Sequence, residues 1–155
     1  MSTDLTSPVV DAPPPGAVLR LVNPVMKALL HTPVSRLIRP LALLQLTGAR
    51  SGRSFSVVVG WHIVDGTPVV FTPARWQANF AGGASALVRR RGRRERMVGV
   101  LESDPVAVAR AINQVLASGT STRALALRVE SGHEITAEDM VETRRVMVRF
   151  HAAEP

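Results

Sequence analysis

The feature that most constrains the fold is a series of short apolar runs separated by glycine-containing turns. Five such runs are rich in residues that favour β-strands: Leu41–Thr47, Phe55–Val64, Thr67–Thr72, Ala84–Arg90 and Arg93–Glu102. Asp65-Gly66 and Arg91-Gly92 lie between neighbouring runs and are strong signals for hairpin turns. Strands joined by turns this short pair antiparallel. The sequence also lacks the strict alternation of helix and strand that a parallel nucleotide-binding sheet requires.

The rest of the chain supplies helices around these strands. The predicted elements are a helix over Leu19–Ile38, a helical turn over Trp76–Phe80, a helix from Asp104-Pro105 to Gly119, a turn or brief helix over Thr122–Val129, a short helix opened by Thr136 and Asp139, and a closing strand over Arg145–His151. The pattern predicts an α+β, mainly β protein: a small antiparallel barrel of about six strands with peripheral helices. Residues 1–18 are proline-rich and predict a flexible leader, and residues 19–155 predict a single domain.

Composition excludes several classes of chemistry. The 155 residues include no cysteine and only four scattered histidines, so disulfides, thiolate sites and a catalytic metal are not expected. No nucleophile motif marks a serine, so we name no catalytic side chain, and a cofactor would supply the chemistry of an enzyme. The chain has neither a secretory signal pattern nor an apolar run of the ~20 residues that span a bilayer, which predicts a cytoplasmic protein.

The net charge of +7 comes almost entirely from arginine. Such a surface attracts anions, although the codon usage of a GC-rich genome would produce the same composition. The densest cluster, Arg89–Arg96, straddles a predicted hairpin, so alternate arginines should face opposite sides. Because it contains no aromatic residue, a solvated hairpin tip is favoured over a nucleic-acid partner, with contact to a nucleic-acid backbone as the alternative. The helix over Leu19–Ile38 has a basic side, but its pattern favours packing on a core over binding a membrane surface.

The turn from Gly48 to Arg53 is the first candidate binding site. Gly48 and Gly52 allow backbone angles that a side chain would forbid. Between them, Arg50, Ser51 and the turn amides offer several hydrogen-bond donors to a phosphate or carboxylate. A basic hairpin loop without a ligand is the alternative.

The segment Thr72–Phe80 is the second candidate. It leaves a strand and enters a helical turn, whose first amides suit an anion or a ring carbonyl. Trp76 and Asn79 are three residues apart and so lie on one face of that turn. An aromatic ring beside an amide could hold a heterocycle, although a lone tryptophan is more often part of a core.

Together these segments resemble the deazaflavin-dependent nitroreductase family of the flavin-reductase-like split β-barrel superfamily, from about Asn23 to the end of the chain. Leu46–Gly52 is similar to the family turn T-G-R-K/R-S/T-G, and Trp76-x-x-Asn79-Phe80 is similar to its segment W-x-x-N-L. The resemblance implies a split barrel that binds reduced 8-hydroxy-5-deazaflavin (coenzyme F420). It also implies hydride transfer to a small-molecule acceptor such as a quinone or nitroaromatic compound, and a homodimer.

The resemblance also implies roles for individual residues. The coenzyme-binding positions are Arg50, Ser51 and Gly52 at the phosphate and acidic tail, Thr72, Pro73 and Ala74 at the tail or ring edge, Trp76 and Asn79 beside the ring, and backbone amides near Val57 and Val58. Arg75 stands in for a lysine of the family loop. Phe55 occupies the place of a family arginine, the loop before Trp76 is short, and no tyrosine is available to line a substrate pocket. A non-catalytic carrier of an apolar, fatty-acid-like ligand and a barrel that binds flavin mononucleotide (FMN) are the alternatives.

Overall fold

The computed structural model describes residues 9–11, 41–125 and 127–153. The strands are β1 (Val9–Asp11), β2 (Leu41–Thr47), β3 (Ser54–Gly60), β4 (His62–Val64), β5 (Thr67–Thr72), β6 (Ala84–Arg90), β7 (Arg93–Glu102), β8 (Leu127–Val129) and β9 (Val146–Ala152). The helices are α1 (Pro105–Ala117), α2 (Ala137–Thr143) and two 3-10 helices, Arg75–Phe80 and Thr122–Leu125. The predicted helix over Leu19–Ile38 and most of the predicted leader lie outside the described residues. Within that leader, β1 pairs antiparallel with β8, which the sequence did not predict.

The main sheet has seven antiparallel strands in the order β3-β2-β6-β7-β9-β5-β4. Its two edge strands, β3 and β4, are separated in sequence by Trp61 alone, so the sheet must curl until its edges meet. Within the described residues, β3 approaches β5 without pairing with it, and this gap splits the barrel. The predicted strand Phe55–Val64 is therefore bent at Trp61 into two, because one continuous segment serves both edges. The prediction of an α+β, mainly β split antiparallel barrel is confirmed.

The sheet has an apolar layer on each face. Val69 and Phe71 of β5 pack with α1 and α2 outside the barrel, whereas Val70 between them packs inside with Val148 and Phe150 of β9. This alternation follows from the two-residue period of a strand. The interior is thus filled by side chains from every strand of the barrel except the short β4.

Antiparallel order places the hairpins at opposite ends of the barrel. One end, which we name the turn end, holds the Gly48–Arg53 turn and the 3-10 helix Arg75–Phe80. The turn leads into β3 and the helix follows β5, and the first residue of β3 lies at the same end of the barrel as the last residue of β5. The other, which we name the arginine end, holds Trp61 and the turn between β6 and β7. The two candidate segments of the sequence therefore lie at the same end.

Phe80 fixes the 3-10 helix to the barrel. Its side chain is fully buried and meets the rings of Trp76 and Phe150 edge-on, with centroids 6.0 Å and 5.7 Å away. The ring also occupies the space beside Gly99, where an added Cβ would lie 2.5 Å from Phe80 Cδ1. Only glycine permits this close approach, which sets how deeply the helix sits.

The helix caps confirm the sequence signals. Asp104 Oδ1 accepts a hydrogen bond from Val106 N at the start of α1. At α2, Thr136 and Asp139 form the predicted capping box. Burial alone would raise the pKa of Asp139, but hydrogen bonds from His133 and Thr136 outweigh it and hold that pKa below its ordinary value. The lowered pKa of Asp139 means that its ionised form stabilises the fold at any pH above the ordinary aspartate pKa. This stabilisation is lost as the pH falls through the lowered pKa of the folded protein.

We predict a second loss of stability at mildly acid pH. Burial lowers the pKa of His62, whose ring lies 5.8 Å from that of Phe71. Below the ordinary pKa of 6.5, the unfolded chain therefore binds a proton at this site before the folded chain does. The free energy of unfolding should fall as pH is lowered from about 6.5. Urea denaturation at several pH values measures how the free energy of unfolding depends on pH. If His62→Gln leaves this pH dependence unchanged, another group causes it.

Candidate functional site

The Gly48–Arg53 turn is held together largely by its own backbone. Gly48 N donates to Arg53 O and Gly52 N donates to Gly48 O, both at 2.9 Å, and Gly52 has a positive φ of 66°. Ser51 Oγ accepts a hydrogen bond from Arg53 N at 3.2 Å. The amides of Arg50 and Ser51 make no hydrogen bond within the described part of the chain. The turn therefore offers two amides to a ligand rather than the whole series that the sequence suggested.

Asn79 joins this turn to the 3-10 helix. Its Oδ1 accepts a hydrogen bond from Ala49 N at 2.8 Å, and its Nδ2 donates to Trp76 O at 2.9 Å. Asn79 was predicted to lie beside the cofactor, and it does line the cleft. In the structure both polar atoms of the amide have protein partners, so Asn79 fixes the distance between two segments that lie 30 residues apart.

The joined segments enclose an open cleft of about 660 Å³. Its lining residues are Gly48, Ala49, Arg50, Ser51, Phe55, Arg75, Trp76, Gln77, Ala78 and Asn79. The exposed side chains of Arg50 and Arg75 come from the two different segments, and the described lining contains no carboxylate. Trp76 is half-buried and presents an aromatic surface in the same cleft. Such a lining has the chemistry to hold an anion attached to a planar or apolar group.

Five of the predicted site residues line this cleft: Arg50, Ser51, Arg75, Trp76 and Asn79. The other six predicted residues, Gly52, Val57, Val58, Thr72, Pro73 and Ala74, are not among its lining residues. Thr72 is buried, and its Oγ1 accepts a hydrogen bond from Ala74 N at 3.0 Å, which shapes the loop that leads into the 3-10 helix. Val57 and Val58 lie on the edge strand β3, with Val57 packed against the barrel core.

Five lining residues were not among the predicted site residues, and two of them, Gln77 and Phe55, add side-chain chemistry to the cleft. Gln77 has a buried Oε1 that accepts no hydrogen bond within the described residues, so an acceptor stands beside the cleft. Phe55 places an aromatic ring where the resemblance led us to look for an arginine. In the sequence, the only sign that Gln77 belongs to the site is its position between Trp76 and Asn79. The 3-10 conformation then determines which of these side chains line the cleft.

Other kinds of site find no support in the described residues. No group of three or more histidine, aspartate or glutamate side chains there is arranged to hold a metal ion. Nor does any described helix have the length and apolar character needed to cross a membrane.

No family model matches the sequence, and no curated protein matches it. Among solved structures, the chain is similar to one described as the FAD and heme binding protein from Mycobacterium smegmatis, with 16% identity and a TM-score of 0.44. The similarity covers 82% of this chain and 66% of that one, so this chain spans just under two thirds of that protein's length. At this identity and TM-score, the ligands of that protein cannot be assigned to this chain. The fold is therefore assigned from the strand order and register of the chain itself.

Proposed function

We propose that this protein is an oxidoreductase that binds the reduced deazaflavin coenzyme F420 at the turn end and reduces a quinone, nitroaromatic or other unsaturated acceptor. One observation carries the proposal. The two segments that resemble the deazaflavin-dependent family, 30 residues apart, line one cationic cleft and are joined by the Asn79–Ala49 hydrogen bond.

The charges of the cleft fit the tail of this coenzyme. Arg50 and Arg75 line the cleft with no carboxylate among its described lining residues, and the amides of Arg50 and Ser51 donate to no acceptor in the part of the chain that the structure describes. Hydrogen bonds from cationic donors to a phosphate or carboxylate are the stronger kind. The tail would therefore bind between the turn and the 3-10 helix, and Arg75 would act in place of the lysine of the family loop.

The apolar part of the cleft fits a ring. Trp76 and Phe55 would pack against the coenzyme, and the buried Oε1 of Gln77 would accept a hydrogen bond from one of its hydroxyl or N–H groups. The edge strand β3 adjoins the cleft, so its backbone near Val57 and Val58 would meet the ring. Gly52, Thr72, Pro73 and Ala74 would act by holding the two loops in shape.

When bound between the Gly48–Arg53 turn and the 3-10 helix, the reduced coenzyme would supply a hydride, and a quinone acceptor would take that hydride and a proton from solvent to become the hydroquinone. The chain contributes binding, orientation and the exclusion of water, and no side chain need transfer a proton. The acceptor, the homodimer, the cytoplasmic location and the lack of a nucleic-acid partner remain predictions.

Titration of the Trp61→Phe variant tests the proposal. The chain has two tryptophans and no tyrosine, so Trp76 is then the sole reporter of the cleft. We expect saturable quenching by coenzyme F420 with a dissociation constant of about 10 μM or below. Anaerobic mixing of the reduced coenzyme with menadione should then return it to its oxidised absorbance.

Each outcome of the titration selects one function. Quenching by FMN but not by coenzyme F420 would favour the FMN-binding alternative. No quenching by either at about 100 μM would contradict the proposal and leave the apolar-ligand carrier.

A further inference from the structure

A second pocket lies at the arginine end, across the barrel from the cleft. It has a volume of about 500 Å³. Buried side chains of Trp61, Val88 and Met97 form its apolar part, and Arg90, Arg93 and Glu95 line its mouth. An apolar interior with a charged entrance is the usual build of a small-molecule site.

The strand register explains why these side chains converge. Val88 lies opposite Glu95 and Arg90 lies opposite Arg93 across the β6–β7 hairpin. Residues two apart in a strand share a face, so these four side chains lie on the pocket side. Arg89 and Arg94, also directly opposite each other, lie on the other face. The arginine cluster is therefore divided, as the sequence analysis predicted, and one half belongs to the pocket.

The charge arrangement favours an anion at the mouth. Like charges directly opposite each other in a strand pair are unfavourable, and Arg90 faces Arg93 in this way. Arg91, in the turn between them, adds a third guanidinium to the pocket lining. Glu95 is the one carboxylate among the described lining residues, which leaves a net positive mouth.

The deeper part of the pocket favours a planar apolar group. The guanidinium carbon of Arg90 lies 5.5 Å from the centroid of the Trp61 ring, a cation–π contact that holds Arg90 over the indole. Trp61 is 4% exposed, and its buried Nε1 makes no hydrogen bond within the described residues. Trp61 thus forms part of the floor beneath the cationic mouth, with Arg90 over its ring and the Phe150 ring packed against it at a centroid distance of 5.2 Å.

We propose that the arginine-end pocket binds a small molecule with an aromatic body and one carboxylate or sulfonate group. The anion contacts Arg93 and Arg90 at the mouth, and the aromatic body packs on Trp61, Val88 and Met97. This site lies at the opposite end of the barrel from the turn-end cleft and does not depend on the function proposed for that cleft.

The test uses the Trp76→Phe variant, in which Trp61 is the sole fluorophore. The probe is 8-anilinonaphthalene-1-sulfonate, and the matched neutral probe is N-phenyl-1-naphthylamine, which lacks the sulfonate. We expect the sulfonate probe to quench Trp61 saturably. Adding Arg93→Ala should weaken its binding about tenfold without changing that of the neutral probe. Adding Glu95→Gln should strengthen it about threefold, because a repelling charge is removed.

The control variant is Arg94→Ala, which removes an equal charge from the other face of the same hairpin. Equal losses with Arg94→Ala and Arg93→Ala would contradict the proposal, since general attraction to a basic surface would then explain the binding. Quenching of Trp76 in the Trp61→Phe variant, without quenching of Trp61, would place the probe in the turn-end cleft and also contradict it. Circular dichroism confirms that each variant is folded, which excludes binding to an unfolded form.

Discussion

Replacing Phe80 with alanine is expected to lower the free energy of unfolding by about 4 kcal/mol. The side chain is fully buried and contacts two aromatic rings, and its loss would leave a cavity beside Gly99. The same change should disturb the turn-end cleft, because Phe80 ends the 3-10 helix that carries Trp76 and Asn79. Urea denaturation followed by circular dichroism measures the first effect.

Two variants calibrate this prediction. Phe80→Leu keeps most of the apolar volume and should cost about 1–2 kcal/mol. Val106→Ala removes an apolar group that is 54% exposed and should cost well under 1 kcal/mol. A loss below about 1 kcal/mol for Phe80→Ala would mean that the helix is not held by this ring.

Removing both cleft arginines is expected to weaken binding of coenzyme F420 about a hundredfold, or roughly tenfold for each charge. Arg50 belongs to the Gly48–Arg53 turn and Arg75 to the 3-10 helix, and both line the cleft in which the coenzyme tail would bind. Their side chains are exposed, so Arg50→Ala with Arg75→Ala should leave the fold intact. Trp76 quenching in the Trp61→Phe background gives both dissociation constants.

The control for this experiment is Arg110→Ala with Arg128→Ala. These arginines are also exposed, but they lie on α1 and β8, and neither lines the cleft. A similar loss of affinity in both double variants would show that net charge, rather than the cleft, attracts the coenzyme.

Local signals explain why the strands and turns could be predicted. The left-handed φ angles of Asp65 and Gly66, and of Arg91 and Gly92, are those that two-residue hairpins require, and both turns lie where the dipeptides indicated. The helix caps at Asp104 and Thr136 likewise depend on atoms within three residues. Such features need no knowledge of the rest of the fold.

The site could be predicted only in part, because its geometry depends on contacts distant in sequence. The motifs identified Arg50, Ser51, Trp76 and Asn79, but not that Asn79 would bond to Ala49. Nothing local shows that Trp61 bends one strand into two edges. The division of the arginine cluster between two faces was predictable from strand alternation, whereas the pocket beneath one face required the curled sheet.

Whether the cleft holds the anionic tail is tested by comparing coenzyme F420 with 8-hydroxy-5-deazariboflavin, which has the same ring without that tail. Both are titrated against the Trp61→Phe protein and against the same protein with Arg50→Ala and Arg75→Ala. We expect the intact coenzyme to bind about a hundredfold more tightly, and the two arginine substitutions to remove most of this difference in affinity. Equal affinities for the two compounds in the protein that retains both arginines would contradict this expectation.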